Sequence, residues 1–216
     1  MPGSDSVGRP WRGRKAEQGE TTRAALVRAA TEIFAEKGFV EAATEEVVRR
    51  ADVTRGALYH HFSGKDDLFR AVFESLEEDI ADRVAAAAAG VDDPVGRLRA
   101  GTEAFLDACL EPAVQRVMLR EGPSALGWDR WHRVQDDRCA RTLLRIGLED
   151  AMAVGALRRQ PAEPLTHLVY GALVQAGMVI AGVPDARAAR AARREMGQAA
   201  GRLIDALLAD RRGDET

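Results

Sequence analysis

The sequence predicts an all-α protein of about nine helices, in which a three-helix N-terminal unit precedes a larger helical domain. The chain of 216 residues is rich in Ala, Leu, Arg and Glu, and its Pro and Gly residues are concentrated at the boundaries of the apolar-periodic segments. Few β-branched residues alternate at a period of two, which argues against a sheet. The length suffices for a sizeable core in one large domain or two small ones.

The first helix is predicted from Thr21 or Thr22 to Lys37. Its apolar residues follow the i, i+4, i+7, i+8 spacing of one helix face. Gly38 can adopt the left-handed backbone that commonly follows a helix C-terminus. Residues 1–19 are rich in Gly, Pro, Ser and Arg, so we expect them to form a flexible arm.

Two short helices around a tight turn are predicted between Thr44 and Phe62. Asp52 can take the left-handed backbone that ends the first of them, and Thr54 is a suitable N-cap for the second. The inward-facing apolar residues of the second helix are Ala57, Leu58 and Phe62. The residues left facing outward are Arg55, Gly56, Tyr59 and His60. This layout is that of a helix-turn-helix.

A fourth helix is predicted to begin at Ser63 or Gly64 and to continue to about Ala89. It is too long to serve the N-terminal core alone, so we expect it to enter a second core. The remaining helices are predicted at residues 94–110, 113–120, 128–154, 164–181 and 185–209. We expect residues 20–73 to form the helix-turn-helix domain and residues 74–216 to form the second domain.

One segment is apolar enough to raise the question of a membrane span. Residues 164–184 contain no Asp, Glu, Lys or Arg, but they include polar side chains and three glycines. The strongly apolar part is short for a bilayer, so a helix buried in a soluble protein or a subunit interface is favoured. The N-terminus lacks the apolar region of a signal peptide.

The cysteine content favours a reducing compartment. Cys109 and Cys139 do not suggest a disulfide framework, and their spacing matches no zinc site. A small buried apolar side chain is the expected role for each, with a redox role as the alternative. We therefore expect a cytoplasmic protein without a metal or another cofactor.

The outward face of the helix-turn-helix carries side chains suited to DNA. Arg55 can pair with guanine or a phosphate, and Thr54 can bond a phosphate or a base edge. Gly56 lets the backbone approach closely, and Lys65 lies near a helix start that favours phosphate. The residues of this region expected to contact DNA are Thr44, Thr54, Arg55, Gly56, Tyr59, His60 and Lys65.

Charge is distributed unevenly along a chain whose formal net charge is −3. Six basic and two acidic residues fall between Arg9 and Arg28, so that this segment carries +4. Arg14 and Lys15 of this arm are expected to contact phosphates or the minor groove. The alternative is a solvated tail without a DNA contact.

The run from Thr44 to Leu68, with Ile33–Phe39 ahead of it, resembles the TetR family of transcriptional regulators. The residues that carry the resemblance are Gly38, Thr54, Arg55, Gly56, Leu58, Tyr59, Phe62, Lys65 and Leu68. The resemblance covers about residues 20 to 73, and the rest of the chain fits the family by helix count. It implies a homodimer that places one recognition helix per subunit in successive major grooves of a near-palindromic operator in double-stranded DNA.

Two positions depart from the family pattern. Ala43 stands where the family usually has a Ser or Thr that caps the helix and contacts phosphate, so either Thr44 takes over the cap or that contact is missing. Asp52 stands where the family commonly has Gly, which adds backbone cost and a negative charge near DNA. We expect normal folding with somewhat reduced phosphate affinity.

The second domain is expected to enclose a small-molecule effector in a mostly apolar cavity. The candidate lining residues are Phe73, Phe105, Cys109, Met118, Trp128, Trp131, His132, Gln135, His167, Tyr170, Gln175 and Met178. Ordinary core packing is the alternative for each of them. A hydrophobic or aromatic effector is expected, and a charged pocket is not.

An enzyme is the weaker hypothesis. The sequence contains no HExxH, GxSxG or Gly-rich phosphate loop, and the adjacent His60 and His61 point about 100° apart on a helix. We therefore predict a ligand-responsive repressor, in which the effector favours a tilt of the fourth helix that moves the recognition helices out of register. The alternatives are an activator of the same fold and a helical small-molecule-binding dimer with weakened DNA binding.

Dimerisation is predicted through the last two helices. Small residues in the first of these, at Gly171, Ala172, Ala176 and Gly177, would permit close approach of a partner subunit. One side of the final helix carries an apolar stripe that we expect a partner subunit to cover: Ala189, Ala192, Met196, Ala199, Leu203 and Leu207.

Overall fold

The computed structural model of the chain describes residues 10–127 and 139–209, with side chains from residue 18 onward. Within these ranges it contains nine α-helices, one π-helix and a single isolated β-bridge, so the predicted all-α fold is confirmed. The chain divides into two compact units, Met1–Val72 and Phe73–Thr216. The division falls one residue before the predicted domain boundary.

The helices follow one another in a simple order. The first are α1 (Pro10–Glu41), α2 (Thr44–Arg50), α3 (Arg55–His61) and α4 (Lys65–Ala89). They are followed by α5 (Pro94–Ala108), the π-helix (Val114–Glu121), α6 (Gly122–Leu126), α7 (Ala140–Ala153), α8 (Ala162–Gly182) and α9 (Ala186–Ala206).

The start of α1 differs from the prediction. The helix begins at Pro10, where proline suits the first turn because its missing N–H would have no helical partner. The Thr22 hydroxyl donates to the Gln18 carbonyl at 2.9 Å, so this threonine lies inside the helix and does not cap it. The arm predicted over residues 1–19 is therefore helical from Pro10 onward. Gly38 adopts φ 81°, which confirms the predicted left-handed turn.

The first unit has a small apolar core. Leu58 of α3 is fully buried, and the aromatic residues of three segments meet edge to face. The ring centroids of Phe34 and Phe69 are 5.2 Å apart, and those of Phe39 and Phe69 are 5.0 Å apart. Pairs of this geometry add to the stabilisation from apolar burial. The core thereby fixes the inner face of the helix-turn-helix.

The second unit is built from capped helices around a larger core. The Asp93 carboxylate accepts from the Gly96 N–H at 2.7 Å and begins α5, and Asp185 likewise caps α9. In the part of the chain that the structure describes, α8 is the one helix long and apolar enough to cross a membrane. Its inner residues Leu165, Val169, Leu173 and Ile180 are buried in the unit, as in a core helix of a soluble protein.

The helix predicted over residues 128–154 does not run unbroken through Cys139, and residues 128–138 of that prediction lie outside the described residues. Cys139 has an extended backbone, at φ −82° and ψ 161°, and α7 begins only at Ala140. Cys139 is buried, and its thiol lies 3.6 Å from the Thr142 hydroxyl. A single helix therefore does not run through this position.

Candidate nucleic-acid interface and ligand cavity

The turn between α2 and α3 has the predicted backbone. Asp52 adopts φ 53°, and the Val53 N–H donates to the Val48 carbonyl at 3.2 Å, a pattern that closes a helix around a left-handed residue. The Thr54 hydroxyl then accepts from the Ala57 N–H at 3.2 Å, so the predicted N-cap of α3 is confirmed. These local interactions fix where α3 begins and which face it exposes.

The two faces of α3 divide as the sequence predicts. Leu58 and the adjacent Phe62 are buried. The exposed residues are Arg55, Gly56, Tyr59 and His60. This face presents a guanidinium, a phenol and an imidazole within two helical turns, all of which can donate hydrogen bonds to phosphates or bases. Their contacts with DNA remain a prediction.

Arg55 is held loosely by its neighbours. One guanidinium nitrogen lies 3.7 Å from a carboxylate oxygen of Glu45, and the guanidinium carbon lies 5.6 Å from the centre of the Tyr59 ring. Hydrogen bonding to Tyr59 raises the pKa of Arg55 further above its ordinary value. The Arg55 side chain is 69% exposed, so the pair with Glu45 contributes little stability. Arg55 can thus exchange Glu45 for a phosphate or a guanine.

Lys65 has a structural partner that the sequence did not indicate. Its ammonium donates to the Val40 carbonyl at 3.0 Å and lies 4.9 Å from the centre of the Phe39 ring. These contacts tie the segment after Gly38 to the start of α4. An ammonium has three donors, so a phosphate contact by Lys65 is compatible with this role.

The N-terminus of α2 lacks a side-chain cap. Ala43 is the capping residue by position, and its methyl group accepts no hydrogen bond. The Thr44 hydroxyl faces a carboxylate oxygen of Glu45 at 3.3 Å, so it does not replace the cap. The first of the two alternatives for Ala43, a cap by Thr44, is therefore wrong, and the loss of a phosphate contact at this position stays a prediction.

One basic residue that was not among the predicted DNA contacts lies near α3. The Arg23 guanidinium of α1 lies 5.4 Å from the centre of the Phe62 ring. Desolvation, followed by the nearby charges of His60 and Arg23, lowers the pKa of His61. The packing of α1 against α3 creates this neighbourhood, and no local pattern predicts it. The side chains of Arg14 and Lys15 lie outside the described residues.

The second unit contains a cavity of about 430 Å³ between α4, α5, the π-helix, α7 and α8. Eight of the predicted lining residues meet there: Phe73, Phe105, Cys109, Met118, His167, Tyr170, Gln175 and Met178. The other four, Trp128, Trp131, His132 and Gln135, lie outside the described residues. We refer to this space as the polar cavity because it contains ionisable side chains.

The expectation that this pocket would be uncharged is wrong. Glu77 and Arg141 both line the polar cavity. Burial, with a smaller effect of Glu74, raises the pKa of Glu77 to about 8. The position of Glu77 in the cavity wall could have been predicted from the sequence. It lies four residues after Phe73 and three before Ile80, and therefore shares their helix face. No such periodicity connects Arg141 to the other lining residues.

Close packing shapes the wall of the polar cavity. A Cβ atom at Gly122 would lie 2.9 Å from the Phe73 ring, and one at Gly177 would lie 2.9 Å from the Cys109 sulfur. The π-helix supplies Val114 and other apolar wall residues through a wider turn than an α-helix allows. Burial raises the pKa of the Cys109 thiol to about 12, which disfavours a reactive cysteine.

A second, mostly apolar cavity of about 290 Å³ lies beside α4, α5 and α7, and its lining also includes Arg97 and Asp150. It shares the side chains of Phe105 and Tyr170 with the polar cavity, and these two rings are 6.1 Å apart. Within the described ranges, His, Cys, Asp and Glu side chains do not gather in groups that could hold a metal ion.

The last two helices carry exposed apolar residues. Leu168 of α8 is 74% exposed, and Val179 of α8 and Leu203 of α9 are also exposed. Gly171 and Ala172 are exposed as well. Ala176 and Gly177 are buried within the unit, so their predicted role in the approach of a partner is wrong.

The predicted apolar stripe of α9 is only partly buried within the unit. Ala199 and Leu203 are exposed, whereas the buried residues of α9 are Ala189, Ala192, Gly197, Ala200 and Ile204. The buried face is therefore rotated relative to the apolar stripe, which leaves part of that stripe uncovered.

Comparison with known proteins identifies both units. Residues 26–72 match the model for bacterial regulatory proteins of the TetR family, and residues 95–207 match the model for the tetracycline-repressor-like C-terminal domain. The second match alone spans more than half of the chain.

Individual relatives agree with these family models. The chain is 38% identical over 85 residues to the transcriptional activator FasR of Mycolicibacterium smegmatis, a match that spans only 39% of either protein. It is 29% identical to the transcriptional regulator CymR of Pseudomonas putida, over 76% of this chain and 81% of CymR. The crystal structure of a TetR-family regulator from Pectobacterium atrosepticum superposes with a TM-score of 0.75 at 28% identity, covering 90% of this chain and 97% of that one. The chain therefore belongs to the TetR family of bacterial transcriptional regulators, which are DNA-binding proteins and not enzymes.

Proposed function

We propose that this regulator is a homodimeric repressor that binds a near-palindromic operator through α3 and releases it when a small molecule enters the polar cavity. The exposed face of α3 is the observation that supports DNA binding. Arg55 and Tyr59 lie on it within reach of solvent, while the Thr54 cap and the buried Leu58 hold the helix in place. Arg55 contacts a guanine or a phosphate, and Thr54, Tyr59 and His60 contact the backbone.

The exposed apolar residues of α8 and α9 support dimerisation through these helices. Leu168, Ala172 and Val179 recur at helical spacing on α8, and exposed apolar patches of this kind commonly mark protein interfaces. A two-fold dimer presents two copies of α3, so its operator repeats the same half-site in inverted orientation.

The volume and the lining of the polar cavity support an effector site. Small-molecule sites are mostly apolar spaces of roughly 300 to 1,000 Å³ with a few placed polar groups, and the polar cavity fits this description. α4 is continuous from Lys65 to Ala89 and supplies Phe73, Glu77 and Ile80 to the wall. An effector that favours a tilt of α4 therefore shifts the population toward dimers whose recognition helices no longer match the operator.

Activation is the second candidate function, because the relative FasR is named a transcriptional activator. A reporter gene under the control of the operator distinguishes repression from activation. Removal of the regulator raises reporter expression if it represses and lowers expression if it activates. Since its target is DNA, we infer that the protein acts in the cytoplasm.

The DNA-binding claim is tested with the DNA upstream of the chain's own gene. A sequence-specific regulator binds it more tightly than random DNA, and the logarithm of its affinity falls linearly with the logarithm of the salt concentration. Affinity no higher than that for random DNA would instead support the alternative of a helical small-molecule-binding dimer with weakened DNA binding.

A further inference from the structure

Glu77 is an uncompensated acid in the wall of the polar cavity. Across the described residues it forms no ion pair within 4.0 Å, and it is half-buried. The one charged residue that acts on it perceptibly is Glu74, an acid on the same helix. A buried carboxylate without a partner is costly, so this position favours a compensating positive charge.

Among the residues that the structure describes, the other ionisable side chains of the polar cavity do not supply that charge. The Arg141 guanidinium donates to the Glu163 carboxylate at 2.7 Å, and His167 lies 3.3 Å from the same carboxylate. The arginine is thereby neutralised on its own side of the cavity. Burial raises the pKa of Cys109 and of Tyr170, so both remain uncharged at neutral pH. The π-helix contributes the apolar side chains Val114, Met118 and Leu119.

The remaining wall is suited to an apolar body that carries a positive charge. The rings of Phe73 and Phe105 can attract a cation through their faces, and Met118 and Met178 adapt to ligands of different shape. An anionic ligand would find Glu77 unfavourable. Arg141 donates to Glu163 through one terminal nitrogen, and its buried Nε has no hydrogen-bond partner among the described residues, so an anion near Arg141 is the competing outcome that the butanoate probe below tests.

We propose that the polar cavity binds a lipophilic cation, an organic amine or ammonium on an apolar body, with Glu77 as its counter-ion. This inference rests on the proposed effector role of the cavity and names the chemical class of the effector. The cation stabilises the ionised form of Glu77, so binding at neutral pH releases a proton. Affinity for the cation therefore rises with pH until Glu77 is ionised in the free protein, at a pKa of about 8.

The test uses three probes with the same apolar body: 4-phenylbutylamine, 4-phenylbutanol and 4-phenylbutanoate. Binding to the full chain is measured by isothermal titration calorimetry. At pH 8.5 the amine is still protonated, and we expect it to bind at least about tenfold more tightly than the alcohol. Between pH 6 and pH 7 the affinity of the protein for the amine rises roughly tenfold, while its affinity for the alcohol stays constant.

Two variants of α4 provide a matched pair. Glu77→Gln keeps the shape of the side chain and is expected to remove both the preference for the amine and its pH dependence. Glu74→Gln removes a charge one turn away, outside the lining of the polar cavity, and is expected to keep the preference. The pH profile of the unaltered protein tests the same point if either variant fails to fold.

The inference is overturned if the amine and the alcohol bind equally at pH 8.5, if the butanoate binds most tightly, or if Glu77→Gln keeps the amine preference. Release of operator DNA by the same probes is measured separately. Operator release without a preference for the amine contradicts the cation proposal and leaves the proposed function intact. Specific DNA binding that no ligand of the cavity affects contradicts the proposed function instead.

Discussion

The two units of this regulator position their functional side chains in opposite ways. In the first unit most of the candidate DNA contacts lie within one short segment, from Thr54 to Lys65, and those of this segment other than the half-buried Lys65 are exposed. In the second unit the cavity residues come from five helical segments between Phe73 and Met178, and several of them are buried core residues. The first surface can therefore be altered without a change in the fold, whereas the cavity cannot be reshaped without a change in the core.

The largest expected effect comes from Arg55→Ala. Loss of a base or phosphate contact costs about tenfold to hundredfold in operator affinity per half-site, and a dimer carries two half-sites. The thermal midpoint should stay the same because the side chain is exposed. Fluorescence anisotropy with labelled operator measures the operator affinity. Arg145→Ala on α7 is the control. Unchanged affinity in Arg55→Ala would remove Arg55 from the interface.

The cavity should respond to pH through Glu77. Its folded pKa of about 8 lies above the ordinary value of 4.5, so the unfolded chain ionises first as the pH rises. The wild type therefore loses stability relative to Glu77→Gln from about pH 4.5 upward, and the difference is complete above pH 8. The pKa difference alone corresponds to about 5 kcal/mol, and the partial exposure of Glu77 to solvent reduces the expected effect. We expect Glu77→Gln to be more stable at pH 8.5 by an amount on the order of 2 kcal/mol and nearly equal at pH 4.5. Chemical denaturation at the two pH values measures this, and equal stability throughout would contradict the buried state of Glu77.

Two glycines of α8 test the packing of the cavity wall. Gly177→Ala places a methyl group 2.9 Å from the Cys109 sulfur and should destabilise the protein by about 1 to 2 kcal/mol. Gly171→Ala meets open space on the same helix and should be neutral or stabilising by about 0.5 kcal/mol. The thermal unfolding midpoints of the two variants should thus shift in different directions relative to the wild type. A shared direction would show that helix propensity, and not close contact, determines both effects.

The missing cap of α2 offers a gain in stability. Ala43→Ser supplies a hydroxyl that can accept from an unpaired N–H of the first turn, which stabilises a helix by about 1 kcal/mol. Ala43→Val adds side-chain volume at the same position without an acceptor, so it is the control and should not stabilise. Denaturant midpoints compare the two variants.

The smallest effects are expected at Asp52. Asp52→Gly relieves the left-handed backbone and should stabilise the protein by about 0.5 kcal/mol, and it also removes a negative charge. Asp52→Asn removes only the charge. Both variants should bind operator more tightly at low salt, with the difference shrinking as salt rises. If neither gains affinity, the charge of Asp52 does not act on DNA.

The same contrast explains how far the sequence could predict the structure. Thr54, Asp52 and Gly38 act through backbone rules that span only a few residues, so the turn, the cap and the exposed face of α3 could be predicted. Lys65 and Arg23 contact residues of distant segments, and their partners could not. The start of α1 was missed because Thr22 is as compatible with a helix interior as with a cap.

In the second unit, the apolar members of the cavity could be predicted because large apolar residues on helix faces meet in a core. Arg141 could not, since its position depends on how α7 packs beside α8. The break at Cys139 has no Gly or Pro to mark it. Ala176 and Gly177 were assigned to a partner interface because small residues permit close approach, but the close neighbour is Cys109 of the same chain.

The central claim is that α3, presented twice by a dimer, reads a near-palindromic operator. Selection of bound duplexes from a random pool, repeated with wild type and Arg55→Ala, tests it most directly. The wild type should enrich two inverted half-sites that lie in successive major grooves, and Arg55→Ala should lose that enrichment. Enrichment of no sequence by the wild type, or of the same sequence by both proteins, would contradict the account.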